Sequence, residues 1–216
     1  MKLFYCLLMF SLLGIDFCQA QLPLKIKAGG ARSSLGSMYG YGPSSHPIAT
    51  WYGGVATTFR MGKRFFFQPE LLYSNRGTDL KSSFYPQGDK LKFRYSYISM
   101  PLLLGWHPFK NMSLLLGAEP GYMVSDRAKG TSSINTYEDV DRHFNVDIDL
   151  GLSYQPIPRW TVEVRGMAGL IGLYEELEYL RISRTLYKTG KYQGYHNTIQ
   201  FGLSYDLITK NNKAAR

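Results

Sequence analysis

Every second residue between positions 144 and 154 is apolar: Phe144, Val146, Ile148, Leu150, Leu152 and Tyr154 alternate with Asn145, Asp147, Asp149, Gly151 and Ser153. A period of two places each set on one face of a β-strand, whereas a helix would scatter both sets around its circumference. The pattern returns in residues 198–207, where Ile199, Phe201, Leu203, Tyr205 and Leu207 oppose Thr198, Gln200, Gly202, Ser204 and Asp206. In residues 160–170, Trp160, Val162, Val164, Gly166, Ala168 and Leu170 oppose Thr161, Glu163, Arg165, Met167 and Gly169, and in residues 65–76, Phe65, Phe67, Pro69, Leu71 and Tyr73 oppose Phe66, Gln68, Glu70, Leu72, Ser74 and Arg76. Such runs match the ~9–11 residues of a tilted membrane strand and exceed the ~5–6 of an ordinary soluble one.

Residues 24–33, 49–59, 93–106 and 112–125 are less regular strand candidates, bringing the total to eight. The connections between them alternate in length. Residues 34–48, 77–92, 126–143 and 171–197 form long loops, while 60–64, 107–111 and 155–159 form short turns. Short turns on one rim and long loops on the other are the habit of transmembrane barrels, with the turns and both termini in the periplasm. The expected fold is all-β: an eight-stranded antiparallel transmembrane β-barrel. Pro69, Pro101 and Pro120 fall inside strands, where each removes a ladder hydrogen bond, and are expected to mark bulges.

The first twenty residues carry Lys2, an apolar run over 3–15, and Cys18-Gln19-Ala20 with small residues at the −3 and −1 positions. This reads as a cleaved secretory signal peptide over 1–20, followed by the barrel domain over 21–208 and a polar tail over 209–216. Both cysteines, Cys6 and Cys18, lie in that leader, so no disulfide or thiolate site is expected. No later stretch is an uncharged apolar run long enough for a membrane helix. Export then leaves a soluble exported protein or a membrane barrel, and strand length and rim asymmetry favour the barrel. Aromatics make up 15% of the chain, with 17 Tyr, which suits aromatic belts at two interfaces.

The segments Phe67-Gln68-Pro69-Glu70-Leu71-Leu72-Tyr73-Ser74 and Tyr97-Ile98-Ser99-Met100-Pro101-Leu102-Leu103-Leu104 make the chain resemble the PorT-like outer-membrane β-barrel family of Gram-negative bacteria. Asp149-Leu150-Gly151, Glu163-Val164-Arg165 and Phe201-Gly202-Leu203-Ser204-Tyr205 are weaker echoes. Ser99 departs from the family, which usually has Glu there. The resemblance implies an outer-membrane location. The family is broad, and its namesake's tie to protein secretion is not carried over.

Alternation turns Lys25, Lys27, Arg60, Glu70, Arg76, Glu119, Asp147, Asp149, Glu163, Arg165 and Asp206 inward. An eight-stranded barrel is just wide enough to be filled by its own side chains, so these charges must pair. Glu70, Arg76, Glu119, Asp147, Asp149, Glu163 and Arg165 are expected to form a lumen charge network, with Glu70 meeting Arg165 near the axis. His46, His143 and His196 fall in long loops and His107 in a short turn, none at metal-ligand spacing. The run Glu175-Glu176-Leu177-Glu178 lacks a calcium-loop pattern.

Tyr179, Arg181, Arg184, Tyr187, Lys188 and Tyr192 in the last loop combine aromatic and basic residues. That combination suits either recognition or phosphorylated lipid headgroups. No phosphate loop, zinc motif or nucleophile elbow is present. The expected protein is non-enzymatic, with no cofactor or metal, and structural or binding in role. Its expected partners are outer-membrane lipids, the barrel-assembly machinery during biogenesis, and an unidentified protein or ligand at the outer loops, but not nucleic acid. A narrow channel or transport component is the alternative, followed by a rim-located lipid-modifying enzyme.

Overall fold

The computed structural model describes residues 23–37, 44–81, 90–130, 143–171, 179–182, 185–188 and 194–208, so the leader and the tail lie outside the described residues. Its strands are β1 (Leu24–Ser37), β2 (Ser44–Thr57), β3 (Phe59–Met61), β4 (Phe65–Lys81), β5 (Lys90–Ser99), β6 (Leu102–Phe109), β7 (Met112–Gly130), β8 (Phe144–Ile157), β9 (Trp160–Gly169), β10 (Tyr179–Ile182), β11 (Thr185–Lys188) and β12 (Gly194–Asp206). β2 continues into β3, and β5 into β6, so the wall has eight staves, each antiparallel to its neighbours. The first and last staves close it, from Lys25 opposite Asp206 to Ser37 opposite Gly194. Closure leaves no strand edge unpaired, which backbone in hydrocarbon requires. β10 and β11 form a separate hairpin.

The alternation does what the sequence demands. Along β8, Ile148, Leu150 and Leu152 face out while Asp147, Asp149 and Ser153 are buried inside. The outward apolar band is bordered by aromatic residues at both rims. Trp160 and Tyr205 lie 5.0 Å apart at the turn rim, and Trp51 and Tyr73 lie 5.5 Å apart toward the loop rim. Strand pairing runs well past the expected loop-side ends, to Ser37 in β1, Lys81 in β4 and Gly130 in β7. Hydrogen-bond ladders need no apolar side chains, so pairing continues where the apolar period stops.

The expected bulges at Pro69, Pro101 and Pro120 are not there. Pro101 sits in the gap between β5 and β6, yet the register is the same on both sides: Ser99 faces Leu72 and Gly121, and Leu102 faces Pro69 and Ala118. The proline carbonyls keep accepting, from Glu70 N to Pro101 O at 2.9 Å and from Met100 N to Pro120 O at 2.8 Å. Each proline thus removes a donor without shifting the ladder. The register shifts fall instead between Pro47 and Tyr52, Ser96 and Tyr97, Trp106 and Phe109, and Tyr154 and Ile157.

Inside, Phe66, Leu103 and Leu115 form an apolar layer toward the turn rim, and Leu35, Tyr95, Tyr97 and Met123 form another toward the loop rim. Tyr52 lies across Gly29 and Gly202, where an added Cβ would run into its ring or hydroxyl. Phe66 covers Gly105 in the same way. Backbone glycines thus make room for rings that cross a narrow interior.

Leu150 is 64% exposed on the outer wall. Leu150→Arg is expected to cost ~2–4 kcal/mol near a bilayer midplane, and Ser153→Ala on the inner face much less. Unfolding titrations in lipid vesicles measure both. Equal costs would contradict the outward assignment, because a one-residue slip inverts every side chain.

A candidate site in the lumen

Between the two apolar layers the interior is ionic. Lys27 on β1, Glu70 and Arg76 on β4, Glu119 on β7, Asp147 and Asp149 on β8, and Glu163 and Arg165 on β9 are all buried. Each occupies an inward position of its strand's alternation, so the wall itself aims them at one another.

Two hubs organise the cluster. Arg165 Nη2 donates to Glu70 Oε1 and Oε2 at 3.0 and 3.1 Å and to Glu163 Oε1 at 2.5 Å, while Nη1 reaches Asp149 Oδ2 at 3.3 Å. One nitrogen therefore straddles the Glu70 carboxylate, and the guanidinium's other arm is free for Asp149. Lys27 Nζ donates to Glu70 Oε1 at 2.6 Å and to Glu163 at 2.9 and 3.1 Å. Gln68 Nε2 adds a bond to Glu70 Oε1 at 2.6 Å. In the second hub, the Arg76 fork spans Asp147 through Nη1 and Glu119 Oε1 through Nη2, the latter at 2.5 Å. Glu119 and Asp147 face each other across the β7–β8 ladder. Like charges so placed repel, and the guanidinium between them offsets that repulsion.

Charge-assisted bonds of this kind are the strong ones, and they must be, because each buried ion loses several kcal/mol of hydration. Among the described residues, five buried carboxylates (Glu70, Glu119, Asp147, Asp149, Glu163) meet three buried cations (Lys27, Arg76, Arg165). Cations are the scarce members. Above the second hub, Arg76 stacks over the Tyr97 ring at 4.9 Å, and the Tyr97 hydroxyl lies 3.2 Å from His196 Nε2.

Three inward positions fall outside the cluster. Lys25 pairs with Asp206 at 3.5 Å at the turn-side mouth, and Arg60 is exposed at that rim. His196 corrects the sequence reading: it is a buried member of β12, not a loop residue. The alternation of Thr198, Gln200 and Ser204 extended back by one step would have found it. His107 likewise belongs to β6 and lies 2.8 Å from Ser113 Oγ. Of the loop residues, Tyr179 and Arg181 lie on β10 and Tyr187 and Lys188 on β11, with Tyr179 in register with Lys188. Arg184 and Tyr192 lie outside the described residues, as does the Glu175–Glu178 run. Among the described residues, no group of three or more His, Cys, Asp or Glu is arranged to hold a metal ion.

Residues 26–175 match the family described as outer membrane protein beta-barrel domain. The chain belongs to that family. The match runs from β1 through β9, the stretch that carries the whole ionic cluster. The solved structure of Neisserial surface protein A is similar at a TM-score of 0.51 and 13% identity, over 85% of this chain and 97% of that one. OprG from Pseudomonas aeruginosa is similar at a TM-score of 0.47 and 13% identity, over 87% and 97%. Ail of Yersinia pestis gives 0.45 and 14%, over 86% and 99%. No curated protein matches the chain. The chain is thus an outer-membrane β-barrel protein of the small eight-stranded kind.

Because cations are scarce, the two ends of the Arg165–Glu70 contact are unequal. Arg165→Met takes a cation from three carboxylates, leaving Asp149 without its ion-pair partner and Glu70 and Glu163 to share Lys27 alone, and is expected to cost ~3–5 kcal/mol. Glu70→Gln reduces the acid excess and should cost less. The double variant should cost less than the sum, because part of the penalty belongs to the orphaned partner. A double-mutant cycle read by unfolding in lipid checks this, and strict additivity would show that the two groups do not interact.

Proposed function

We propose that the protein is a non-enzymatic envelope component, exported through a cleaved leader and related to the PorT-like barrels of Gram-negative bacteria. In this reading the short turns face the periplasm and the long loops face outward. The barrel is a sealed anchor, and binding is the work of the outer loops.

One observation carries the proposal. The Lys27–Glu70–Arg165–Glu163 cluster joins β1, β4 and β9 across the lumen, with an apolar layer on either side. An interior cross-linked in this way supports a role in which the wall holds shape and solute does not pass. Recognition then falls to residues on and around the β10–β11 hairpin: Tyr179, Arg181, Arg184, Tyr187, Lys188 and Tyr192. Aromatic rings and guanidinium groups contribute strongly to contact surfaces.

Planar-bilayer recording of the refolded protein is expected to show no stable porin-sized steps, since eight strands leave no aqueous channel. Regular conductance steps would overturn the sealed-anchor reading. A pull-down of the native protein from detergent-solubilised outer membrane tests the binding role. A protein co-purifying with the native chain and lost with the R181Q/R184Q/K188Q variant is the expected result. Equal recovery with both would move recognition away from this loop.

A further inference from the structure

The outer wall of β5 and β7 changes character above the apolar band. Going up β5, the outward side chains are Met100 and Ile98, then Ser96, then Arg94 and Lys92, both exposed. On β7 the inward residues are Glu119, Gly121 and Met123, all odd-numbered. If that phase continued, Arg127 would point into the barrel. It does not, because the register slips by one: Tyr97 faces Met123, but Ser96 faces Ser125. Val124 is the extra residue. A bulge of this kind re-aims everything beyond it, and Arg127 comes to lie opposite Arg94, exposed on the outer wall.

Lys92 is the next outward residue on β5 and is exposed as well. A directly opposed arginine pair and a lysine therefore occupy adjacent outward rungs. Like charges directly opposite destabilise a ladder, so this arrangement calls for an anion. Among the described residues none is ion-paired with them: Asp79 faces Lys92 across the other ladder and Asp126 faces Tyr95, yet neither is ion-paired with Lys92, Arg94 or Arg127.

Height and surroundings identify the anion. Arg94 lies four residues above Ile98, ~13 Å along the strand and ~10 Å in height once the strand tilt of transmembrane barrels is allowed for. Ile98, Tyr122, Val124 and Phe144 below it are exposed and apolar, and the Tyr122 ring stacks with His143 at 6.1 Å. Hydrocarbon below and paired guanidinium groups at headgroup height fit an amphiphile with phosphate on its polar end, which a planar fork binds in two-point fashion.

We propose that the Lys92/Arg94/Arg127 surface is a binding site for the phosphate groups of an outer-leaflet glycolipid. The leaflet assignment rests on the orientation given under the proposed function, while the binding chemistry does not.

The test compares the folding equilibrium of the full chain in two kinds of vesicle: phosphatidylcholine alone, and phosphatidylcholine carrying bisphosphorylated lipid A in both leaflets. With lipid A in both leaflets, the readout is independent of which rim faces outward in the cell. A ligand that binds only the folded state raises the equilibrium constant, by about tenfold when present at ten times its Kd.

The wild type is expected to gain about tenfold from lipid A on this basis, and R94Q/R127Q to gain little. In phosphatidylcholine alone the variant should be at least as stable as the wild type, because cross-strand repulsion is relieved. Arg32→Gln, an exposed arginine on the far stave β1, should keep the full gain. An equal gain in R94Q/R127Q overturns the proposal, as does an undiminished gain from dephosphorylated lipid A. If inositol hexakisphosphate added to phosphatidylcholine vesicles reproduces the whole effect, the surface takes a soluble polyanion and the lipid assignment fails.

Discussion

A closed wall of eight strands sets every other condition in this protein. Pairing β1 with β12 satisfies the backbone without an edge, which is what allows strands to stand in hydrocarbon. The same closure fixes an interior too narrow for bulk water. Any polar side chain turned inward must then find its partner among the other staves. The ionic cluster, the rings laid over glycine and the apolar layers at either end are three ways of filling one cylinder.

The filling is asymmetric in charge as well as in shape. Arg165 serves Glu70, Glu163 and Asp149, while Arg76 holds Glu119 and Asp147. A hydrophobic core of equal volume would be at least as stable by general experience with buried ion pairs. What the ionic interior adds is direction. Each contact names a particular stave and level, so a slipped strand would leave a charge without its partner.

Much of this was legible in the sequence because β8 and β12 are two-faced, as are β9 and the turn-side half of β4 apart from the inward apolar residues Met167, Phe66 and Leu72. Where one face meets lipid and the other meets ions, the period is sharp and the stave count follows. Legibility ended where lipid ended. Above the band, outward residues such as Arg32 and Arg94 are polar, and the strands continue with no apolar period to announce them. This is why His196 read as a loop residue. The prolines misled for a different reason: loss of one donor was taken to break the register, but the carbonyls of Pro101 and Pro120 still accept. Lys27 read as one inward charge among several. Nothing in its local sequence indicates that it bridges Glu70 and Glu163, because that contact depends on closure.

That last dependence bears on how the barrel comes together in time. Lys27 sits on the first stave, and its two acids sit on the third and seventh. Glu70 lies on the same side of the seam as Lys27, two staves along through β2, so an open sheet can already bring those two together. Glu163, at the far end of that sheet, is without the lysine until the first stave joins the last. The seam and the Lys27–Glu163 contact are then one event. The lysine acts as a latch: carried by one edge, it catches the other only when the door has shut.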